Sequence, residues 1–224
     1  MTLDSAMLAC AIFAETTLLA VLARRRVGRW LPWFCGYIAW CLVSDIAGWA
    51  ATSSSPAFCG QFYFFEAIID SVLQFAVLLE LAWSLLRSFH STLDRRNVWL
   101  VGASLFLAGV MLWSWAAIGV PEYFSGQARV LLYLQFSMSL LRIVFLVTIA
   151  AVSQFLAIGW RNRELFVAAG LGFYSICSFT VTLIHSHASP YSPLLDRALT
   201  AAYLGVLLYW IMQFWKEPAR RAAL

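Results

Sequence analysis

Seven long apolar segments, joined by short loops, fill this chain from one end to the other. Each has roughly the 20 mainly apolar residues that a helix needs to cross the hydrocarbon core of a bilayer. Backbone groups cannot stay unpaired in lipid, and the segments lack the alternation of barrel strands, so we expect helices. The sequence therefore predicts an all-α, polytopic membrane protein: a single domain, 1–224, formed by a seven-transmembrane-helix bundle. The predicted spans are Leu3–Ala23, Trp30–Ala51, Gln61–Leu86, Val98–Val120, Val130–Trp160, Leu165–His185 and Leu194–Trp215.

The composition leaves no room for a soluble catalytic or DNA-binding domain. Of the 224 residues, 62% are hydrophobic and only 12% are charged, whereas a soluble domain carries about 25% charged residues. The loops between the spans are short, so consecutive helices are expected to be neighbours and mostly antiparallel. We therefore expect the protein to act inside the bilayer or at its two faces.

The basic residues predict the orientation, because Lys and Arg concentrate in cytoplasmic loops. Twelve of the fifteen Lys and Arg residues fall in one set of loops, two (Arg129 and Arg197) fall in the other, and Arg142 lies within a span. This bias places the N-terminus outside and the C-terminus inside. The net charge of +4 then reflects membrane topology, and no nucleic-acid partner is expected because the arginines form no continuous basic surface.

The candidate functional residues are the ionisable groups inside the predicted spans, because a charge within the bilayer is costly. Four carboxylates share the outer half and the midplane with a single arginine. They cannot all stay charged in a low dielectric. Some must be protonated, exposed to a water-filled cavity, or neutralised by a bound cation or cationic ligand. These groups are Glu15, Asp45, Glu66, Asp70 and Arg142; a further acid, Glu80, lies near the inner interface within reach of water or Arg87.

Helical spacing gathers polar residues into stripes on the third and fifth segments. Stripes that faced lipid would be costly, so both are predicted to face the bundle interior. Two interpretations stay open for Arg142: a buried ion pair with Asp70 or Glu66, or a place beside a polar cavity. We predict an outward-facing cavity between the first, second, third and fifth helices. The stripes are Glu66, Asp70 and Gln74 on the third segment, and Gln135, Ser139 and Arg142 on the fifth.

Motifs for catalysis, metal binding and cofactor attachment are missing. The chain has no GxSxG, HExxH or CxxC motif. His185 and His187 do not share a helical face, and the seventh segment has no lysine before Lys216 for retinal. Paired axial histidines for haem are also absent. The sequence predicts no catalytic residues, no metal site and no cofactor. A disulfide between Cys10 and Cys59 stays conceivable.

The overall plan resembles the seven-helix sensory modules of bacterial receptors, which precede kinase or cyclase domains. The likeness rests on Arg24–Arg26 followed by Tyr37, on Glu80–Arg87 leading into Leu93–Arg96, and on Leu195–Arg197 opening the seventh segment. It implies a receptor in a bacterial cytoplasmic (inner) membrane, and the excess of arginine over lysine fits a GC-rich bacterial genome. Without an outer ligand domain or an inner output domain, the signal would pass to a cytoplasmic partner.

Two functions follow as hypotheses. The first is a receptor-like bundle that binds a small polar or cationic ligand in the acidic cavity and favours one helix arrangement when it does so. The alternative is a small cation or proton channel or transporter, built as a homo-oligomer, in which Glu66 and Asp70 line the path, since acid-lined pores select cations. The expected partners are the lipid bilayer, the ligand or ion, and a signalling partner.

Overall fold

The computed structural model describes residues 3–51, 56–87, 107, 111, 126–155, 163–187 and 193–216. These residues form an all-α structure, as predicted, and contain no strand. A short 3-10 turn, Val27–Arg29, follows the first helix. The six α-helices are α1 (Leu3–Arg24), α2 (Pro32–Ala51), α3 (Pro56–Arg87), α4 (Gln127–Phe155), α5 (Arg163–His187) and α6 (Pro193–Lys216).

Each described helix coincides with one predicted span, with differences at the ends. The largest are in α3, which begins at Pro56 instead of Gln61, and in α4, which begins at Gln127 instead of Val130. Pro56 suits the first turn of a helix because its missing N–H would have no partner there. The predicted fourth span lies outside the described residues apart from Leu107 and Met111, so the count of seven stays a prediction.

The helices pack as a closed ring in chain order, and α6 returns to lie against α1. Within the described residues, four stretches are long and apolar enough to cross a membrane: Leu3–Arg24, Gln61–Ser84, Glu164–Ile184 and Pro193–Lys216. Large apolar side chains face outwards, Phe13 being 75% exposed, while Glu15 is fully buried. This reverses the arrangement of a soluble bundle. The chain therefore has the architecture of a helical membrane protein.

Contacts at both ends show that α1 and α6 run in the same direction. At the end where both helices begin, called the upper end here, Arg197 Nε lies 2.8 Å from Asp4 Oδ1. At the lower end, where both helices finish, Arg25 Nη2 donates a hydrogen bond of 2.8 Å to the Trp215 carbonyl. Two neighbouring helices of one ring are thus parallel and are fixed at both ends.

Side-chain contacts also show that α4 and α5 are antiparallel. Early in α4, the Phe136 ring lies 4.7 Å from the ring of Phe179, late in α5. Farther along α4, Arg142 lies over the ring of Tyr174, which comes earlier in α5. Trp210, near the lower end of α6, bonds the carbonyl of Phe166 in the first turn of α5. Helix α5 therefore begins at the lower end, and α4 begins at the upper end.

The lower end of α3 lies beside the start of α5. Ser84 Oγ donates a hydrogen bond of 2.7 Å to Glu164 Oε1. Helix α3 therefore runs from the upper to the lower end, in the same direction as α4, although α4 is the next described helix along the chain.

Helix α2 begins on a carboxylate that α3 supplies. Leu31, which precedes Pro32, has no side-chain acceptor for the first free N–H groups of the helix. Glu80 provides both acceptors: its Oε1 and Oε2 receive the N–H groups of Trp33 at 3.0 Å and Phe34 at 2.9 Å. The structure makes this acid a cap that joins α2 to α3. The side chain of Arg87, which the sequence suggested as a partner of Glu80, lies outside the described residues.

The apolar core occupies the lower half of the bundle. Leu22, Leu81 and Leu165 are almost fully buried there, together with Phe34 and Trp210. The Phe34 and Trp210 rings meet edge to face with centroids 5.1 Å apart, a favoured geometry for aromatic pairs. This packing closes the lower half of the ring.

A glycine sets the distance between α5 and α6. Trp210 Nε1 donates a hydrogen bond of 3.2 Å to the Phe166 carbonyl, one turn from Gly170. A Cβ at Gly170 would lie only 2.4 Å from the same nitrogen. The indole and its hydrogen bond therefore need a residue without a side chain at this position.

Gly170→Ala is expected to lower the free energy of unfolding by about 1–3 kcal/mol, because the added methyl group must push Trp210 away. The measurement is thermal unfolding of the purified protein in detergent, with fluorescence of the buried tryptophan as a second readout. Gly205→Ala is the matched control, because no atom lies within 4 Å of its Cβ position. Alanine has the better helix propensity, so the free energy of unfolding of this variant should stay equal or rise. Equal melting curves for the two variants would contradict the close contact.

Candidate functional site

A cavity of about 560 Å³ occupies the upper half of the bundle, above the apolar core. Five helices line it: α1, α2, α3, α5 and α6. Its volume lies within the roughly 300–1,000 Å³ of small-molecule sites. The upper half therefore holds a space for a ligand where the lower half is filled by side chains.

Four of the residues predicted from the sequence line this cavity. Asp45 comes from α2, and Glu66, Asp70 and Gln74 come from α3. The three α3 residues share one face because they are spaced by four. The carboxylates are partly exposed and the amide is buried. Periodicity within one helix was enough to find this wall.

Gln74 connects the α3 wall to α2. Its Nε2 donates hydrogen bonds of 2.6 Å to Asp70 Oδ2 and 3.3 Å to the Tyr37 hydroxyl. These bonds hold one oxygen of the Asp70 carboxylate. The amide thereby fixes the orientation of the deepest acid on the α3 wall.

Glu15 lies beside the cavity but does not line it. It is fully buried on α1, and its Oε1 accepts a hydrogen bond of 2.5 Å from the Tyr203 hydroxyl. Its Oε2 is buried without a hydrogen-bond partner. Tyr203 itself lines the cavity, so the bond ties a wall residue of α6 to α1.

Arg142 stands behind the cavity wall. Its side chain is 5% exposed, and its guanidinium carbon lies 5.7 Å from the centroid of the Tyr174 ring. Nε donates to the Met138 carbonyl at 3.3 Å and Nη2 donates to Ser139 Oγ at 3.2 Å. Nη1 is buried and has no hydrogen-bond partner.

The ion pair suggested for Arg142 is therefore absent from the described helices. Its hydrogen bonds go to neutral oxygens of its own helix, and neither Asp70 nor Glu66 pairs with it. The Arg142 guanidinium lies over the Tyr174 ring of α5. The depth of two residues in a membrane does not show whether their side chains meet.

The walls differ from those predicted. None of the described side chains of α4 lines the cavity; the place expected for the fifth span is taken by α5 and α6. Gln135 on α4 is exposed, and the buried Ser139 donates a long hydrogen bond of 3.5 Å to Ser178 on α5. The α4 stripe is thus split between the outer surface and the α4–α5 interface.

Three tyrosines that sequence reasoning did not select form much of the remaining wall: Tyr37, Tyr174 and Tyr203. The rings of Tyr174 and Tyr203 lie 5.6 Å apart. Tyrosine is uncharged and was passed over for that reason. The available signal was a hydroxyl in the middle of an apolar span, which needs a partner inside the bundle.

Acidic side chains dominate the lining. The described lining has five acids and one base, and that base is paired with Asp4. A cleft lined by one sign of charge attracts ions of the opposite sign. The cavity should therefore concentrate cations. The acids are Asp4, Asp45, Glu66, Asp70 and Asp196, and the base is Arg197.

Comparison with known protein families, characterised proteins and solved structures gives no match for this chain. The chemistry of the site therefore has to be argued from its geometry.

Cys41 provides a chemical probe inside the cavity. It lines the wall next to these acids and is a free thiol, as are Cys10, Cys35 and Cys177. Because Cys10 is a free thiol, the conceivable disulfide between Cys10 and Cys59 is absent. The side chain of Cys59 itself lies outside the described residues.

In a variant that keeps only Cys41, a methanethiosulfonate carrying a trimethylammonium group should react faster than one carrying a sulfonate. Each rate is first divided by the rate of the same reagent with a free thiol in solution. We then expect the cationic reagent to react about 10 times faster than the anionic one, or more, at low salt, because the acids attract the cationic reagent. Asp70→Asn should reduce this ratio. A variant keeping only Cys35, which lies at the lower end, is the control. A ratio near that of the free thiol would contradict an acidic cavity.

Proposed function

We propose that this protein is a receptor-like bundle of a bacterial cytoplasmic membrane that binds a small ligand carrying an ammonium group in its upper cavity. One observation carries the proposal: Asp45, Glu66 and Asp70 face a space of about 560 Å³. An ammonium group would place its positive charge between these carboxylates. Charge-assisted hydrogen bonds of this kind are about twice as strong as neutral ones.

The tyrosines support the choice of an organic cation. Tyr37, Tyr174 and Tyr203 bring aromatic rings to the same space as the acids. Aromatic faces attract cations and also accept the apolar body of a ligand. A ligand with an ammonium group and a hydrocarbon part would therefore use both kinds of wall.

The direction of the helices supports the proposed seven spans. The chain leaves α3 at the lower end and enters α4 at the upper end, with residues 88–126 between them. An additional crossing by the predicted span Val98–Val120 would make this connection. With the arginine-rich loops inside, the upper end would face outwards, and labelling of Cys41 on intact cells by an impermeant reagent tests this orientation.

The packed lower half favours a receptor over an open pore. A ligand in the cavity would touch α2 and α3 on one side and α5 and α6 on the other. It would thereby favour one distance between the two helix pairs over others. A ligand can transmit a signal only if it favours one conformation in this way. The exposed basic residues Arg24, Arg26 and Arg29 at the lower end would offer a cytoplasmic partner a charged surface. Mixing purified protein with candidate acidic partners tests this part.

Amines should stabilise the purified protein, whereas neutral molecules of the same shape should not. The probes are isoamylamine and phenethylamine, each paired with the alcohol that has a hydroxyl in place of the ammonium. A bound ligand raises the melting temperature by mass action. Asp70→Asn and Glu66→Gln should weaken amine binding by roughly tenfold or more, because each removes a charged acceptor.

Glu164→Gln is the control. Glu164 accepts a hydrogen bond from Ser84 at the lower end, far from the cavity, so this substitution should leave amine binding unchanged. Calorimetric titration measures the affinity in each case. Equal stabilisation by amine and alcohol, or unchanged affinity in both cavity variants, would contradict the proposal.

The alternative is a cation or proton pathway, alone or in a homo-oligomer, because the same acids reach from the upper end to the middle of the bundle. Under the receptor proposal, liposomes containing the protein should stay tight to protons and small cations, since Phe34, Trp210 and Phe214 pack together below the cavity. A leak that Glu66→Gln or Asp70→Asn abolishes would overturn the receptor and establish the pathway. Protein-free liposomes provide the baseline.

A further inference from the structure

Arg142 has an unused hydrogen-bond donor in the interior of the bundle. The side chain is 5% exposed, and Nη1 has no hydrogen-bond partner among the described residues. A buried charge without a partner is costly in a protein, and more so within a bilayer. The free donor therefore marks a place where an acceptor, preferably an anion, would be stabilised.

The groups that bond Arg142 do not neutralise its charge, since the Met138 carbonyl and the Ser139 hydroxyl are both neutral. The other base near the cavity, Arg197, differs because its side chain is 42% exposed and two of its three nitrogens bond to Asp4, at 2.8 and 3.3 Å. Of the two arginines, Arg142 is the buried one with an unpaired donor.

Tyr174 connects Arg142 to the cavity. Its ring lines the cavity and also lies beneath the guanidinium, 5.7 Å from centroid to carbon. Asp70 lines the same cavity. Tyr174 thus contacts the Arg142 guanidinium and also lines the space that Asp70 faces.

We propose that the ligand of this cavity is a zwitterion of the amino-acid type, with its ammonium group on Asp70 and its carboxylate on Arg142. Rotation of the Tyr174 side chain opens the path from the cavity to the free Nη1. The planar guanidinium fits a carboxylate well, since two parallel N–H groups can bond its two oxygens. This inference rests on the proposed function and names the class of ligand.

The test compares each amino acid with the amine that lacks its carboxylate. The pairs are leucine with isoamylamine and phenylalanine with phenethylamine, titrated into the full-length protein in detergent. At least one amino acid should bind about tenfold or more tightly than its amine, since a charged hydrogen bond is gained. Arg142→Gln should remove this preference and leave the affinity for the amine within about twofold, because the cation half of the site is unchanged.

Three further variants keep the test decisive if Arg142→Gln folds poorly. Arg142→Lys keeps the charge and should keep part of the preference, although lysine cannot offer the bidentate fork. Arg197→Gln removes a charge at the mouth of the cavity and should leave the preference in place. Tyr174→Ala removes the ring between ligand and arginine and should not lower the preference for the amino acid.

Three results would overturn the inference while leaving the proposed function intact. These are amines that bind as well as amino acids, a preference that survives in Arg142→Gln, and a preference that disappears in Arg197→Gln instead. Failure of both amines and amino acids to bind would overturn the proposed function as well. The two failures are therefore distinguishable within one set of titrations.

Discussion

The structure depends on one constraint: lipid offers no hydrogen bonds, so each polar group on these helices must find its partner inside the bundle. Glu80 meets the constraint by capping α2, and Gln74 by bridging Asp70 and Tyr37. The bonds of Glu80 and the bond from Gln74 to Tyr37 join α3 to α2, whereas the bond from Gln74 to Asp70 lies within α3. The polar groups that cost most in lipid thereby fix the packing of the ring, and apolar side chains such as Phe13 are left for its outer surface.

The same constraint divides the bundle into two halves. In the lower half, apolar side chains fill the space between helices and the few polar groups cap helix ends. In the upper half, acids and tyrosines face each other across an unfilled volume. The bundle cannot lower the cost of Glu15 Oε2 and Arg142 Nη1 with its own groups, since both atoms are buried without partners. Buried polar atoms without a hydrogen-bond partner call for an explanation. Beside a cavity, the explanation we favour is that a bound ligand supplies the missing partner.

Sequence reasoning succeeded where one helix alone decides the outcome. Glu66, Asp70 and Gln74 share a face because of the helical repeat, and no other helix is needed to infer it. It failed where the neighbour decides. The fifth predicted span was expected to line the cavity, yet α5 and α6 take its place there, and the order of helices around a ring is not encoded in the depth of single residues. The cap that Glu80 forms could not be inferred for a similar reason, since its partners are backbone groups of α2.

The contact below the cavity limits how the bundle can respond to a ligand. Tyr174 lies one turn above Gly170 on α5, and Tyr203 lies two turns above Trp210 on α6. At Gly170 the indole leaves no space even for a methyl group, and Trp210 also bonds the Phe166 carbonyl. Close-packed side chains resist sliding, so α5 and α6 are expected to tilt together when the two tyrosines are displaced. Because Arg25 bonds the last turn of α6 at Trp215, such a tilt reaches the basic turn at the lower end. Under the proposed receptor function, a ligand in the upper half would therefore act on the opposite face without any group moving through the packed core.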